Sequence, residues 1–327
     1  MAARGEPQAF EIVDLHGLRG TDLADVLDRE VRDWKQTLDW DYRTSAELVH
    51  RFLDMRALTG YALRIAGNTA GYSYYISEGH KGLIGNLYVV ERHRTPETHS
   101  VLFDAVVGDL LHVPHLRRIE SQLMLMPVTM PMPMPRAKYL TVHIRNFMAF
   151  DLRNARRLQP GMPAARVNFE TWDESKQEEA AHVIAAAYAG HIDSTVNDQY
   201  TSAGGAKQFL TNIVQYPGCG TFFARASQLA FEAETGRLCG LSLTSLLGKD
   251  VGHITQVCVA PHVRGTGVGY ELLRRSLHGL EASGCRAASL TVTVANRGAV
   301  QLYERMGFEI VRQFPAMVWD GFGEDNQ

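Results

Sequence analysis

Residues 252–269 read GHITQVCVAPHVRGTGVG, an apolar, β-branched run that leads into three alternating glycines, Gly265, Gly267 and Gly269. An amphipathic stretch, Tyr270 to Ala282, follows with Leu272, Leu273, Leu277 and Leu280 at helical spacing. Strand, tight loop and helix in this order aim backbone N–H groups and a helix N-terminus at one point, which attracts a phosphate. Glycine permits the positive φ and close approach that such a loop requires. Arg264 at the mouth adds a positive charge and a fork of donors.

Spacing separates the phosphate-binding loops. A P-loop needs Gly-Lys-Ser/Thr after its last glycine, whereas Gly269 is followed by Tyr270 and Glu271. A dinucleotide fingerprint needs G-x-G-x-x-G; counted from Gly265 the third glycine is Tyr270, and counted from Gly267 it is Leu272. What fits is R-x-x-G-x-G, carried by Arg264, Gly267 and Gly269 after a V-x-V strand. Ala287 to Val294 reads as the next strand, and Asn296 to Phe308 (NRGAVQLYERMGF) as a helix and turn.

Loop, strand and the N-x-x-A-x-x-L-Y-x-x-x-G-F helix together resemble the GCN5-related N-acetyltransferases, over roughly residues 165 to 320. The resemblance implies an α/β (α+β) fold, a central mixed, largely antiparallel sheet flanked by helices. It also implies acetyl-CoA as co-substrate and no metal. By the same resemblance Arg264, Gly265, Thr266, Gly267, Val268 and Gly269 take the CoA pyrophosphate. The backbone of Val257 and Val259 pairs with the pantetheine arm, the Val257 N–H lying near the thioester carbonyl. Tyr303 is the general-acid position that returns a proton to the CoA thiolate, and Asn296 caps its helix and contacts the cofactor.

The base is open. His253 stands six residues before Val259, where several family members carry a glutamate, and an imidazole titrates near neutrality. Asp193, Asp198 and Tyr200 compete with it. Cys258, on a strand between Val257 and Val259, points its side chain the other way and reads as core.

The 327 residues suffice for two domains, and 45% apolar with 21% charged residues describes an ordinary globular chain. A net charge of −3 gives no support for a nucleic-acid partner. The N-terminal MAARGEPQAFEIVDL has no apolar signal core, and no apolar run reaches membrane-spanning length. Cys219, Cys239, Cys258 and Cys285 lack metal or disulfide spacing, so a reduced, cytoplasmic protein is expected.

Residues 82–94 (GLIGNLYVVERHR) align without a gap on 252–264, with identities at Gly82/Gly252, Ile84/Ile254, Val89/Val259 and Arg94/Arg264. Before them, Ala70–Ser73 lines up with Cys239–Ser242; after them come a helical stretch, Val101 to Leu111, and a strand-like one, Ile119 to Leu123. The first half thus reads as a second copy, making tandem domains. Where the glycine loop should be, it carries Thr95-Pro96-Glu97-Thr98-His99, with one N–H fewer and an added negative charge. The alternating prolines and methionines of 126–135 replace the last helix with an extended loop.

The expected domains are therefore 1–153, degenerate and without a cofactor loop, and 165–327, catalytic, joined by a linker at 154–164 (NARRLQPGMPA). In the second, Val167 to Glu170 starts a strand, Glu174 to Tyr188 is a helix with Asp173 as cap, and 191–205 covers the acceptor site. The whole predicts transfer of an acetyl group to a primary amine, small molecule or peptide, by direct attack in a ternary complex. The rivals are a non-catalytic acyl-CoA sensor and an enzyme acting on a protein lysine or N-terminus.

Overall fold

The computed structural model describes residues 10–129, 132–216 and 218–322. In chain order the first half runs β1 (Phe10–Asp14), α1 (Gly20–Leu38), α2 (Arg43–Asp54), β2 (Thr59–Ile65), β3 (Asn68–Glu78), β4 (Lys81–Val89), α3 (Pro96–His112), β5 (Arg118–Gln122) and β6 (Leu140–Asp151). The second half continues with β7 (Val167–Thr171), α4 (Gln177–Tyr188), α5 (Ile192–Val196), α6 (Ala203–Gln215), β8 (Thr221–Phe222), β9 (Gln228–Glu232) and β10 (Leu238–Leu246). It ends with β11 (Val251–Val259), α7 (Val268–Ala282), β12 (Ala287–Thr293), α8 (Arg297–Met306) and β13 (Glu309–Asp320).

Two compact units form, and neither is continuous in sequence. Within the described residues the first holds 10–37, 42–144 and 314–322, and the second 38–41 and 145–313. The stretch 154–164, expected as a linker, lies inside the second. In the first unit β1, β2, β3 and β4 pair antiparallel in order, and β5 joins β4 in parallel. The second repeats this with β7, β9, β10, β11 and β12, of which only the β11–β12 pair is parallel.

Each sheet is closed by a strand from the other half of the sequence. Ala316–Asp320 of β13 pair with β5, while Arg145–Asp151 of β6 pair with β12.

The two copies agree in register. Gly71 faces Val89 across β3–β4 as Gly240 faces Val259 across β10–β11. The bulge falls at matching places, with Gly85 the extra residue in β4 and Thr255 the extra residue in β11. The parallel pairing also matches: Lys81–Ile84 on Arg118–Ser121, and Val251–Ile254 on Ala287–Leu290.

The copies diverge at the following helix. α3 is closed by a capping box, in which Thr95 Oγ1 accepts from the Thr98 N–H and Thr98 Oγ1 from the Thr95 N–H. Pro96 opens it, so this N-terminus satisfies itself. Of the 126–135 stretch, Met130 and Pro131 lie outside the described residues. The described remainder holds no helix, and its backbone accepts from Trp319 Nε1 at Pro135. Among the described residues no helix is long and apolar enough to cross a membrane, and no cluster of His, Cys, Asp and Glu has metal-binding geometry.

The first unit buries a carboxyl group. Glu30 of α1 is fully enclosed and accepts from Asn86 Nδ2 at 2.6 Å, Tyr72 Oη at 2.7 Å and Trp34 Nε1 at 3.2 Å. Burial pushes its pKa up to about 7, against the opposing pull of these donors. An acid with a raised folded pKa holds a proton that the unfolded chain has already released. Its contribution to stability is therefore full below about pH 4.5 and is lost as pH rises to about 7. Glu30→Gln removes this slope. Denaturant unfolding at about pH 5 and about pH 8 should show the wild type losing on the order of 3 kcal/mol more than the variant. Equal losses would place the proton elsewhere.

Candidate active site

The second unit opens where β11 leaves β12. Their parallel register ends at Ile254/Leu290, one residue before the Thr255 bulge, whereas β11 stays paired with β10 through Val259. The backbone of Val257 and Val259 thus lies beyond the β12 ladder, on the side where an extended ligand could pair. The Val257 side chain packs on the cluster of Leu273, Leu277, Tyr303 and Met306. Val259 packs beside Val263, Val268 and Leu272. Cys258 points the other way, into a core with Trp172, Ile184 and Leu210, and burial pushes its thiol up to about 12.

After β11 a 3-10 turn, Pro261–Val263, brings the chain to the glycines. Gly265 and Gly267 have φ of 74° and 91°, the left-handed region that disfavours side chains. A Cβ at Gly265 would meet nothing within 4 Å, so its conformation, not crowding, calls for glycine. Gly267 is the N-cap of α7 and offers no side-chain bond to it. The helix therefore starts two residues before the expected Tyr270, with an uncapped N-terminus. That is the physical contrast with α3: donors consumed there are left for a ligand here.

Thr266 Oγ1 donates to the Val263 carbonyl at 2.7 Å, and the Thr266 carbonyl accepts from Ala164 N at 2.9 Å. Val268 is fully buried at the base of the loop. Glu271 ties in a second point by accepting from Gly161 N at 2.8 Å, and Arg274 and Arg275 neutralise its carboxylate at 2.7 and 2.8 Å. Residues 159–164 thus brace the loop. The Arg264 side chain donates to the Ala187 carbonyl near the end of α4.

Tyr303 of α8 is buried, its ring 5.8 Å from that of Phe308. Burial, with the Asp193 charge second, pushes its phenol well up, and Arg145 opposes the shift. Asn296 caps α8 by accepting from Ala299 N at 3.3 Å. Its Nδ2 donates to Asp193 at 3.3 Å, and Thr293 Oγ1 donates to the same carboxylate.

His253 sits apart from this group of residues. It is 4% exposed, its Nδ1 is 2.8 Å from Ser289 Oγ, and its ring stacks on Phe147 at 6.1 Å and tilts against Trp40 at 5.4 Å. Burial, then the charge of Arg145, pushes its pKa down to about 3, so the imidazole is neutral and enclosed. Of its competitors, Asp193 and Tyr200 face Tyr303's surroundings: both Tyr200 and Tyr303 feel the Asp193 charge. Asp198 lies in the 3-10 turn Asp198–Thr201.

Arg145, Gln256, Glu271 and Gly161 are the site residues that the motif does not reveal. Arg145 comes from β6, and no local pattern announces it. Gln256 and Glu271 flank the motif, one residue before Val257 and two after Gly269, at positions it leaves unmarked.

With this geometry in place, the comparisons with known proteins fall on the same region. The sequence model of the acetyltransferase (GNAT) family matches residues 193–308. A mycothiol acetyltransferase of Mycolicibacterium gilvum is 31% identical over 160 residues, 47% of this chain and 49% of the relative, so the chain spans about half the length of that curated relative. A GCN5-related N-acetyltransferase from Sphaerobacter thermophilus has a similar fold over 96% of both chains, with TM-score 0.64 and 17% identity. A tandem GNAT protein from the clavulanic acid biosynthesis pathway covers 95% of this chain and 98% of its own, with TM-score 0.57 and 15% identity. Both likenesses are of fold, and each runs across the two units.

Proposed function

Because residues 193–308 belong to the acetyltransferase (GNAT) family, we propose that the second unit transfers an acetyl group from acetyl-CoA to a primary amine, on a small molecule or a peptide. The observation that carries this is the uncapped start of α7, reached through two left-handed glycines beside a strand that has parted from its neighbour. Such a terminus suits the pyrophosphate of CoA: the N–H groups of Gly267, Val268 and Gly269 supply donors without a change of protonation. The backbone of Val257 and Val259 takes the pantetheine arm as an added strand, and the Val257 N–H steadies the oxyanion.

The amine attacks the thioester carbon directly, within a ternary complex. Tyr303 gives its proton to the departing thiolate. Its raised pKa keeps the phenol protonated throughout the working range, as an acid must be. His253, neutral and enclosed in aromatic rings, carries no proton in this scheme. Arg264 acts by holding the end of α4 against the loop, and Asn296 by fixing the start of α8.

Calorimetric titration with acetyl-CoA, beside NADH and ATP, tests the reading. Binding of acetyl-CoA in the micromolar range, with neither nucleotide matching it, is the expected result. Failure to bind acetyl-CoA would remove the proposal.

A further inference from the structure

Beyond the pyrophosphate loop the second unit places a part-buried carboxylate beside a cluster of aromatic rings. Asp193 is the second residue of α5, and its side chain is 13% exposed. Its carboxylate accepts from Thr293 Oγ1 on β12 and Asn296 Nδ2 at the head of α8, and lies 3.5 Å from His191 Nδ1. A carboxylate has about four lone-pair sites, so these three contacts leave room for another donor.

The rings of Tyr188 and Tyr200 stack at 4.4 Å, Phe209 meets Tyr200 edge-on at 4.9 Å, and His191 meets Tyr188 edge-on at 5.3 Å. The charge of Asp193 reaches the phenols of Tyr188, Tyr200 and Tyr303, and the cation of Arg145 on β6 reaches those of Tyr200 and Tyr303. A carboxylate with a free lone pair beside a cluster of aromatic rings, which it meets through His191, is a receptor for a cation.

A second feature independently asks for a ligand. Gln256 on β11 is 5% exposed, yet its Nε2 meets no hydrogen-bonding partner; the Cys258 thiol is its polar neighbour. Cys258 in turn belongs to the core cluster on which Tyr188, Tyr200 and Phe209 pack, so this donor adjoins the same aromatic group. A buried amide without a partner calls for an explanation, and an oxygen brought by a ligand supplies one.

We propose that Asp193 and Gln256 bind the acceptor, which is a primary amine bearing a hydrogen-bond-accepting oxygen. The assignment rests on the acetyltransferase reading above. Asp193 receives the ammonium group and takes one of its protons. The freed lone pair forms the C–N bond to the thioester carbon, and the C–S bond breaks with its electrons on sulfur. Tyr303 protonates that sulfur and is restored by the second proton leaving nitrogen, while Asp193 releases its own to solvent. Gln256 holds the oxygen of the acceptor and so sets its class.

The full chain is assayed by release of CoA thiol with D-glucosamine and L-serinamide, and with cyclohexylamine and butylamine, which lack those oxygens. The wild type should favour the first pair by about tenfold or more in kcat/KM. Gln256→Leu should erase that preference while still acetylating amines. Asp193→Asn should lower kcat/KM by about 100-fold with acetyl-CoA affinity unchanged by calorimetry, and Asp193→Glu should restore part of the rate. Equal use of both pairs, use of neither pair, or wild-type rates in Asp193→Asn would overturn the assignment. If the wild type does not bind acetyl-CoA at all, calorimetry reports that separately, and it is the underlying reading that fails.

Discussion

Gly267→Val should weaken acetyl-CoA binding by about two orders of magnitude, read directly by calorimetry. Gly267 holds φ at 91°, a region closed to a β-branched residue without strain, and its missing Cβ would stand 3.6 Å from Pro163 Cα. Valine would push the backbone back toward negative φ and turn the first N–H groups of α7 away from their common focus. The loop lies at the surface of the unit, so cooperative unfolding should survive the change. Gly269→Ala is the informative control. Its Cβ would meet only Val259 Cγ1 at 3.9 Å, an ordinary contact, and no positive φ is involved. Unchanged affinity in Gly267→Val would mean that the loop is only a turn.

Tyr303→Phe should lower kcat by about 100-fold or more while leaving acetyl-CoA affinity near that of the wild type. Phenylalanine keeps the ring in its place against Phe308, 5.8 Å away, and among Leu273, Leu277 and Met306, so packing is conserved and only the proton is lost. Because burial and Asp193 hold the phenol well above its ordinary range, Tyr303 stays protonated through the neutral and mildly alkaline range. The alkaline limb of the rate profile therefore belongs to another group, and Tyr303→Phe should reduce the rate without moving that limb. A kcat equal to the wild type's would leave Tyr303 as core and end the general-acid assignment.

The parts of the site that could be read in advance are those whose causes are local. Gly265 and Gly267 permit the left-handed backbone that a tight turn calls for, and the leucines of 272–280 mark their helix by spacing alone. The repeat was legible for the same reason: Gly82–Arg94 and Gly252–Arg264 keep their identities at positions that the strand register and the bulge both preserve. What stayed hidden depends on partners remote in the chain. His253 looks like a titratable group at the start of a strand. Trp40 and Phe147, both more than 100 residues away in sequence, enclose it and depress its pKa. Asp193 is one polar residue among several in 191–205 until Thr293 and Asn296 close on it. Arg145 reaches the site because β6 pairs with β12, and an alternating strand carries no mark of which sheet it will join.

That pairing bears on how the chain is made. A domain usually folds once its last residue has left the ribosome, the N-terminal one first. Here the first unit cannot be finished in that order, because β5 receives Ala316–Asp320 as its neighbour only after residues 145–313 of the second unit have been made. Trp319 and Phe314, fully buried in the finished molecule, emerge only after residues 145–313 of the second unit. Arg145–Asp151, by contrast, are already translated when β12 appears. The unit encoded first is thus the one that has to wait, its β5 edge open until the second unit has been translated, and the unit encoded second is the first that has all its strands available.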